Sequence, residues 1–296
     1  MKNEMIFNNQ TINKRKETFL EYLDISELTL KSYRNGINCF LEYLNKKQII
    51  NPTRIDFRGF RDELKNYVSI NTINSYMTGI RAFFRYLNAN GIYEDITKDV
   101  KSLKTSKTPK TQVLSQEQCT NIYRNLNDKK EKALFSLAIC TALRANEIAN
   151  AKIENIQMYN GELVLFVKCK KRDDENEYVK LSSKVYQDIK DYIGNRTNGY
   201  IFISQSNNNY GGGLSTTSIR NIIKSIFKRN GIDQDWFSCH TCRRSACTIA
   251  YNLGADIVQI QQMAHHSSIS TTRRYLAECT RNKNKIELKL SNAILG

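Results

Sequence analysis

Two stretches near the carboxyl end of this chain are the most informative: His240-Thr-Cys-Arg243 and His266-Ser-Ser-Ile-Ser-Thr-Thr-Arg-Arg-Tyr275. The three-residue spacing places His240 and Arg243 on one face of a predicted helix. Arginine is permanently charged and bonds two phosphate oxygens at once, and histidine bonds or protonates such oxygens near neutral pH. A tyrosine hydroxyl can act as a covalent nucleophile. Together these residues indicate a site that holds and attacks a phosphodiester without a metal.

The chain carries a large positive charge. Its 296 residues include 45 Lys+Arg and 29 Asp+Glu, so the net charge is +16. Residues 1–112 have 19 basic and 12 acidic side chains, and the remainder has 26 and 17. Because both halves are basic, DNA held between them is favoured over binding by one basic tail. On charge alone, a basic enzyme with an unrelated substrate is the alternative.

The sequence shows no sign of a membrane segment. The hydrophobic fraction is 40% and the charged fraction 25%, as in soluble globular proteins. No apolar run approaches the roughly 18 residues that span a bilayer. The start, Met1-Lys-Asn-Glu-Met-Ile6, lacks the apolar core of a signal peptide. We therefore expect a cytoplasmic protein with no membrane partner.

The eight cysteines raise the question of a metal or disulfide site. Cys239 and Cys242 form a C-x-x-C pair, but no second pair and no H-x₃-H completes a zinc set. In a cytosolic chain of this size, free thiols are expected. We predict no metal site, and we expect Cys242 and Cys247 to pack as small apolar residues on a helix. A zinc or redox site at Cys239 and Cys242 is the alternative.

The first hundred residues have the pattern of a helical domain. Apolar side chains recur at three- and four-residue steps in 28–44 and 70–87, which is typical of amphipathic helices. The second of these helices should end at Gly91, because glycine favours a C-terminal cap. Shorter helices are predicted near 11–23 and 56–67. The aromatic stripe of these helices should form core rather than a platform for stacking bases.

The segment 101–112 should be an extended linker between two domains. It contains no acidic residue, one of the chain's two prolines and four lysines: Lys101, Lys104, Lys107 and Lys110. A segment this polar and without periodicity is typical of a connector. Its lysines either line a DNA backbone or only keep the connector solvated, and the residues leave both interpretations open.

The remainder, 113–296, has the pattern of an α+β domain. Ser115-Gln-Glu-Gln118 has the spacing of a capping box, and a helix follows near 128–142. The runs 162–168 and 177–181 predict an antiparallel hairpin with a charged tip. The remaining segments are predicted as helices: 183–193, 216–229, 241–253, 256–264 and 270–278. The expected fold is mainly α with a small antiparallel β-hairpin or sheet, divided into 1–100, the linker 101–112 and 113–296.

The motifs around His240 and His266, together with Leu253-Gly-Ala-Asp-Ile-Val-Gln-Ile-Gln261 between them, resemble those of the tyrosine recombinase family. This family includes the phage integrases and the Xer-type recombinases. The resemblance covers the whole chain in outline. It implies a helical, SAM-like core-binding domain at 1–100, which clamps one DNA face, and a catalytic domain at 113–296 on the other face.

The resemblance also implies a role for each residue of the site. Arg144 matches the family's first arginine, and with Arg243 it would bind the non-bridging oxygens of the scissile phosphate. Glu147 would be a carboxylate that buttresses an arginine, and an acid on the surface of a helix is the alternative. Lys168, or Lys170 if the register differs, would be the general acid for the departing 5′ oxygen. A solvated lysine at the hairpin tip is the alternative for both.

The histidines and the tyrosine complete the implied set. His240 would bond the phosphate and help to take the proton of the nucleophile, Tyr275, while His266 would donate to a phosphate oxygen. Some positions depart from the family pattern. His265 stands where glycine is usual, so the turn there is expected to be less strained, with some risk that the two histidines exchange roles. Arg244 stands where histidine is common, and Cys239 where proline is common.

The implied reaction is site-specific recombination through a 3′-phosphotyrosyl intermediate, with no metal, ATP or other cofactor and no small-molecule substrate. The expected partners are double-stranded DNA with paired inverted half-sites and three further copies of the chain, in a synaptic homo-tetramer. The tail after Leu276, with its apolar residues from Ile286 to Ile294, would dock on a neighbouring protomer or pack on its own domain. The Asn-, Lys- and Ile-rich composition indicates an AT-rich bacterial, plasmid or phage genome. The alternatives are a type IB topoisomerase-like enzyme and a catalytically silent DNA-binding relative.

Overall fold

The computed structural model describes residues 9–104, 113–168, 177–234, 237–283 and 286–295, without the side chains of 9–11, 277–283 and 286–290. The chain divides into two units, Met1–Pro109 and Lys110–Gly296. None of the helices in these ranges is long and apolar enough to cross a membrane.

Over residues 9–104, the first unit has four α-helices: α1 (Asn9–Tyr22), α2 (Glu27–Lys46), α3 (Arg54–Glu63) and α4 (Ile70–Ala89). A short 3₁₀ turn, Leu64–Asn66, follows α3. The helices α2 and α4 pack closely because glycines lie at their crossing. A Cβ atom added to Gly36 would lie 2.8 Å from Cα of Tyr76, and one added to Gly79 would lie 2.7 Å from Cα of Tyr33.

The core of this unit contains the aromatic stripe predicted from the sequence. Buried rings from three of the helices meet there: Phe40, Phe57, Phe60, Phe83 and Phe84. Ser69 caps α4, and Gly91 follows its end with a φ of 66°, a left-handed conformation that glycine adopts without strain. The predicted helices of this unit and its core are confirmed.

The beginning of the predicted linker packs on the first unit. Asn74 donates to the carbonyl of Leu103 and accepts from its N–H, both at 2.9 Å. Arg61 donates to the carbonyl of Lys101 at 2.9 Å. The side chains of Lys101 and Lys104 are exposed, whereas Lys107 and Lys110 lie outside the described residues.

The second unit contains nine α-helices in its described ranges. They are α5 (Gln116–Asn125), α6 (Lys129–Thr141), α7 (Ala145–Ala149), α8 (Ser183–Ile193), α9 (Thr216–Arg229), α10 (Cys239–Asn252), α11 (Ile257–Met263), α12 (Ile269–Lys283) and α13 (Ile286–Leu295). Ser115 and Gln118 form the predicted capping box of α5. The helix α12 extends five residues beyond the predicted 270–278, and α13 was not predicted as a helix.

The sheet of this unit has three strands rather than the two of the predicted hairpin. β1 (Ile156–Tyr159), β2 (Glu162–Val167) and β3 (Glu177–Lys180) are antiparallel in the order β1-β2-β3. Asn160 and Gly161 join β1 to β2 with φ angles of 50° and 80°, as a tight hairpin turn requires. A mainly α fold with a small antiparallel sheet is confirmed.

The cysteines of α10 lie in the core of the second unit. Cys239, Cys242 and Cys247 are buried. Burial raises the pKa of the thiols of Cys239 and Cys247 to about 11, and it also raises the pKa of the Cys242 thiol well above its ordinary value. The predicted apolar packing of Cys242 and Cys247 is confirmed. Within the described ranges, no group of three or more His, Cys, Asp or Glu residues is suited to hold a metal ion.

Candidate active site

The first turns of α10 bring a histidine and an arginine to the site. Ser238 precedes the helix, and its backbone N–H donates to Oγ1 of Thr241 at 2.9 Å. This bond closes the start of the helix. His240 therefore lies in the first turn with its ring exposed, and Arg243 follows three residues later in the buried part of the helix.

Glu147 links this helix to Arg144, the residue that precedes α7. Glu147 is 2% exposed. Its Oε2 accepts from the backbone N–H of Arg144 at 2.7 Å, and its Oε1 accepts from Nη1 of Arg144 at 2.6 Å. Nη1 of Arg243 lies 3.9 Å from Oε2. A buried carboxylate needs such partners, and its charge reduces the repulsion between the two guanidinium groups.

Arg243 is held by the backbone. Its side chain is 1% exposed, Nη1 donates to the carbonyl of Ala142 at 2.6 Å, and Nη2 donates to the carbonyl of Ala264. Burial lowers the pKa of Arg243 and the charge of Arg144 lowers it further, while Glu147 raises it. Arginine remains charged in proteins despite such shifts. Its Nε, also buried, has no hydrogen-bond partner among the described residues.

The end of α11 places His266. The N–H of His265 donates to the carbonyl of Gln262, and the N–H of His266 donates to the carbonyl of Gln261, both at 3.0 Å. These two bonds are those of a Schellman motif, which requires a left-handed residue directly after the helix cap. His265 is that residue, with a φ of 46°. The expectation that histidine here makes the turn less strained is therefore wrong, because the turn keeps the conformation that favours glycine.

His266 lies in the interior, next to the tyrosine. It is 6% exposed, its Nδ1 lies 2.9 Å from Oγ1 of Thr272, and its ring centroid lies 5.0 Å from that of Tyr275. Burial lowers the pKa of His266 to about 3, assisted by the charges of Arg243 and Arg144. The imidazole is therefore neutral at pH 7. Its Nε2 is buried and lacks a hydrogen-bond partner in the part of the chain that the structure describes.

Tyr275, on α12, contacts His240. Its hydroxyl lies 2.8 Å from Nε2 of His240, and the two rings meet edge to face with centroids 5.7 Å apart. Desolvation lowers the pKa of His240 to about 4, and the nearby charges of Arg244, Arg243 and Arg144 contribute, although part of the ring is exposed. A neutral His240 at pH 7 can accept the phenolic proton.

Two residues that contact the site, Arg244 and Thr272, were not predicted from the sequence as part of it. Arg244 lies over the ring of Tyr275, with Cζ 5.3 Å from the centroid, in the geometry of a cation–π contact. Thr272 contacts His266. The signal for Arg244 was present, because it follows Arg243 directly and departs from the family pattern. Nothing local distinguishes Thr272 from the other hydroxyl residues between His266 and Tyr275.

Lys168 lies at the end of the hairpin strand. β2 ends at Val167, and Lys168 is the next residue, with an exposed side chain. Lys170 lies outside the described residues, so the choice between the two lysines stays open. Of the linker lysines, Lys101 and Lys104 belong to the first unit, which is described by itself.

The assembled site has a buried part and an exposed part. We call Glu147, Arg243 and His266 the floor, and His240 and Tyr275 the rim. Arg144 is about one third exposed and connects the two, since it bonds Glu147 and also donates from Nη2 to the carbonyl of His265 at 3.1 Å. Two guanidinium groups, two neutral imidazoles and a phenol thus converge on one place. This arrangement can bind an anion and present a nucleophile to it.

Comparison with known proteins identifies the chain. A sequence profile described as "Phage integrase family" matches residues 112–281, more than half of the chain. The chain belongs to the phage integrase family of tyrosine recombinases. A second profile, "Phage integrase, N-terminal SAM-like domain", matches residues 17–91.

Relatives of this integrase family member align over almost its full length. It is 27% identical over 283 residues to tyrosine recombinase XerC of Oceanobacillus iheyensis, which covers 88% of this chain and 90% of that protein. It is 25% identical over 288 residues to tyrosine recombinase XerA of Pyrococcus horikoshii, with 95% of each chain covered. These relatives identify a site-specific DNA recombinase, an enzyme that breaks and rejoins DNA strands, and favour neither the topoisomerase-like nor the silent alternative.

Solved structures show the same fold. XerH site-specific recombinase bound to palindromic difH substrate superposes with a TM-score of 0.72 at 18% identity, covering 96% of this chain and 84% of that one. A lambda integrase dimer bound to a COC′ core site also superposes with a TM-score of 0.72, at 15% identity, covering 90% and 94%.

Proposed function

We propose that Tyr275 is the nucleophile of this recombinase. Its phenolic oxygen attacks the scissile phosphorus, a 3′-phosphotyrosyl bond forms, and the bond to the 5′ oxygen breaks. The phenolic proton passes to Nε2 of His240, which is 2.8 Å away and neutral at pH 7. A 5′-hydroxyl of a partner duplex then attacks the phosphotyrosyl bond and releases Tyr275. The energy of the phosphodiester is kept throughout, so ATP is not needed.

The observation that carries this proposal is a set of buried polar atoms without partners. Among the described residues, five buried side-chain atoms make no hydrogen bond, and three of them are Nε of Arg243, Nε of Arg244 and Nε2 of His266. The other two are Oγ1 of Thr248 and Nδ1 of His265. A buried donor that lacks an acceptor costs roughly 1–3 kcal/mol. The first three atoms belong to side chains that contact or border Tyr275 or the arginine pair. A phosphate group would supply acceptors to them beside the nucleophile.

The arginine pair would stabilise the transition state. Negative charge on the phosphoryl oxygens is greatest in the pentacoordinate transition state, and fixed donors stabilise it without reorganising. Arg243 is fixed by two carbonyls, and Arg144 by Glu147 and the carbonyl of His265. Lys168 would protonate the departing 5′ oxygen, with Lys170 as the alternative.

We further propose that the domains act as the resemblance implies: 1–100 binds the core of the DNA site, 101–112 links, and 113–296 catalyses. The partners would be double-stranded DNA with inverted half-sites and a tetramer of this chain, located in the cytoplasm and serving a mobile element. The relatives XerH and lambda integrase were solved on DNA, which supports a DNA substrate. Lys101, Lys104, Lys107 and Lys110 would contact its backbone.

The carboxyl-terminal helix would join protomers. Ile294 and Leu295 at the end of α13 are exposed. The same unit has a cavity of about 440 Å³ lined mostly by apolar side chains, among them Tyr123, Phe135, Ile139, Val185 and Ile249. We expect Ile294→Asp with Leu295→Asp to keep binding of one half-site but to lose assembly on a full site, measured by analytical ultracentrifugation. Unchanged assembly, or lowered thermal stability of the free protein, would favour packing of the tail on its own domain.

Tyr275→Phe tests the central assignment. Because the variant lacks the attacking oxygen, we expect it to bind DNA normally and to form no covalent adduct on a nicked suicide substrate, a loss on the order of 10⁴-fold or more. Denaturing gels of the protein–DNA adduct give the readout. Tyr210→Phe, at a highly exposed tyrosine, is the matched control and should form adduct at the normal rate. A persistent adduct with Tyr275→Phe would refute the proposal.

A further inference from the structure

The backbone of His265 adopts a conformation that is unfavourable for any residue with a side chain. Its φ of 46° lies in the left-handed region, where a Cβ atom crowds the following carbonyl and glycine is free of strain. The Schellman bonds at the end of α11 impose this conformation. A glycine would satisfy this turn without strain, so the turn itself does not require the imidazole.

The imidazole reaches the β-sheet. Its Nε2 lies 3.2 Å from the carbonyl oxygen of Tyr178 on β3, 87 residues earlier in the chain. A carbonyl only accepts, so Nε2 carries the proton and donates. The backbone carbonyl of the same His265 accepts from Nη2 of Arg144 at 3.1 Å. His265 therefore contacts both Arg144, through its backbone carbonyl, and the hairpin, through its side chain.

The contacted point of the hairpin lies close to Lys168. Tyr178 pairs with Phe166 on β2, and the last pair of the two strands is Val167 with Glu177. Lys168 follows directly after the last residue of β2. The rings of Phe166 and Tyr178 pack 5.8 Å apart, and both contact Tyr159 on β1. Because these rings pack together, the adjoining ends of β2 and β3 should move as one unit. A hydrogen bond to Tyr178 therefore also restricts the backbone position of Lys168.

We propose that His265 is a positioning residue that fixes the β2–β3 hairpin, and with it Lys168, relative to the arginine pair. The inference rests on the proposed role of Lys168 as general acid. Proton transfer to the leaving oxygen needs heavy atoms within hydrogen-bond distance, and a displacement of about 1 Å can reduce a rate by about 10²-fold. Glycine at this position would keep the bond to Arg144 but lose the bond to Tyr178.

The test uses His265→Gly, which removes the imidazole and relieves the backbone strain, so folding is preserved. Single-turnover cleavage is measured on two nicked DNA substrates, one with the normal 5′ oxygen at the scissile bond and one with a 5′ sulfur there. A thiolate leaves without a proton, so the second substrate does not need a general acid. We expect His265→Gly to cleave the oxygen substrate about 10-fold more slowly and the sulfur substrate within about twofold of the unmodified protein.

Two variants make the outcome decisive. Asparagine tolerates the left-handed conformation, but its side chain is too short to replace the bond to the Tyr178 carbonyl. His265→Asn should therefore cleave as slowly as His265→Gly, which would show that the added backbone freedom of glycine does not cause the slower cleavage. Lys168→Ala should lose activity on the oxygen substrate and regain it on the sulfur substrate. Suppose that the sulfur substrate restores cleavage by Lys168→Ala, while His265→Gly cleaves both substrates at the normal rate or is slowed equally on both. The inference about His265 then fails, and the assignment of Lys168 as general acid stands. If Lys168→Ala is not rescued, the general-acid assignment fails and the inference with it.

Discussion

The floor and the rim of the site differ in how their side chains are held. The floor residues Glu147, Arg243 and His266 are at most 6% exposed, and they bond backbone groups or buried neighbours. On the rim, Tyr275 is half-buried and its hydroxyl bonds the exposed His240. The groups that would bind the phosphate are thus fixed by the fold, while the groups that would exchange bonds and protons lie where DNA can reach them. Floor substitutions should therefore change stability and rate together, and rim substitutions rate alone.

Arg243→Lys should produce the largest combined effect. Lysine has a single nitrogen in place of the Nη1 and Nη2 that bond the carbonyls of Ala142 and Ala264, and it offers no planar fork to a phosphate. We expect cleavage to fall by about 10²–10³-fold and the free energy of unfolding to fall by about 1–3 kcal/mol. Single-turnover cleavage and urea denaturation measure the two. The rim variant His240→Gln should slow cleavage without lowering stability, and equal stability losses in both variants would contradict the comparison.

Glu147→Gln should affect stability more than rate. The variant keeps the shape of the side chain but removes the charge that offsets Arg144 and Arg243, and breaking a buried ion pair costs about 3–5 kcal/mol. Because a bound phosphate would replace the missing charge, an uncleavable DNA site should raise the melting temperature of the variant more than that of the unmodified protein. Glu63→Gln, at an exposed pair with Lys47, is the control and should change stability by less than about 1 kcal/mol. If DNA raised the melting temperature of Glu147→Gln and of the unmodified protein by the same amount, this result would count against a phosphate bound between the two arginines.

The change in stability between pH 7 and pH 5 reports on the site, because the three histidines of the chain all belong to it. In the folded protein the pKa values of His266 and His240 are lowered to about 3 and about 4, whereas in the unfolded chain both are near 6.5. The unfolded state therefore binds more protons below about pH 6.5, so the free energy of unfolding falls as the pH is lowered from 7 to 5.

The buried His266 should contribute roughly 1–2 kcal/mol of this loss. Urea denaturation at several pH values measures it, and His266→Gln should reduce the slope. A slope unchanged by that substitution would mean that the floor histidine is not neutral in the folded state.

Much of the fold could be predicted because its signals are local. The periodicity of α2 and α4, the capping box at Ser115 and the glycine after α4 each depend on residues within one or two turns. β1 was missed although Asn160-Gly161 is a strong hairpin signal, because its four residues are too few to show alternation. The boundaries of the proposed domains and the roles of the site residues stay predictions.

Within the site, the sequence determined which chemical groups are present and how they are spaced along α10 and between His266 and Tyr275, because covalent order and helical geometry are enough for that. Only the tertiary structure decided that Arg243 is buried between two carbonyls, that Glu147 serves both arginines, and that His265 bonds a strand 87 residues away. These contacts depend on how helices and strands pack, and a backbone carbonyl acceptor leaves no mark in the sequence because every residue has one.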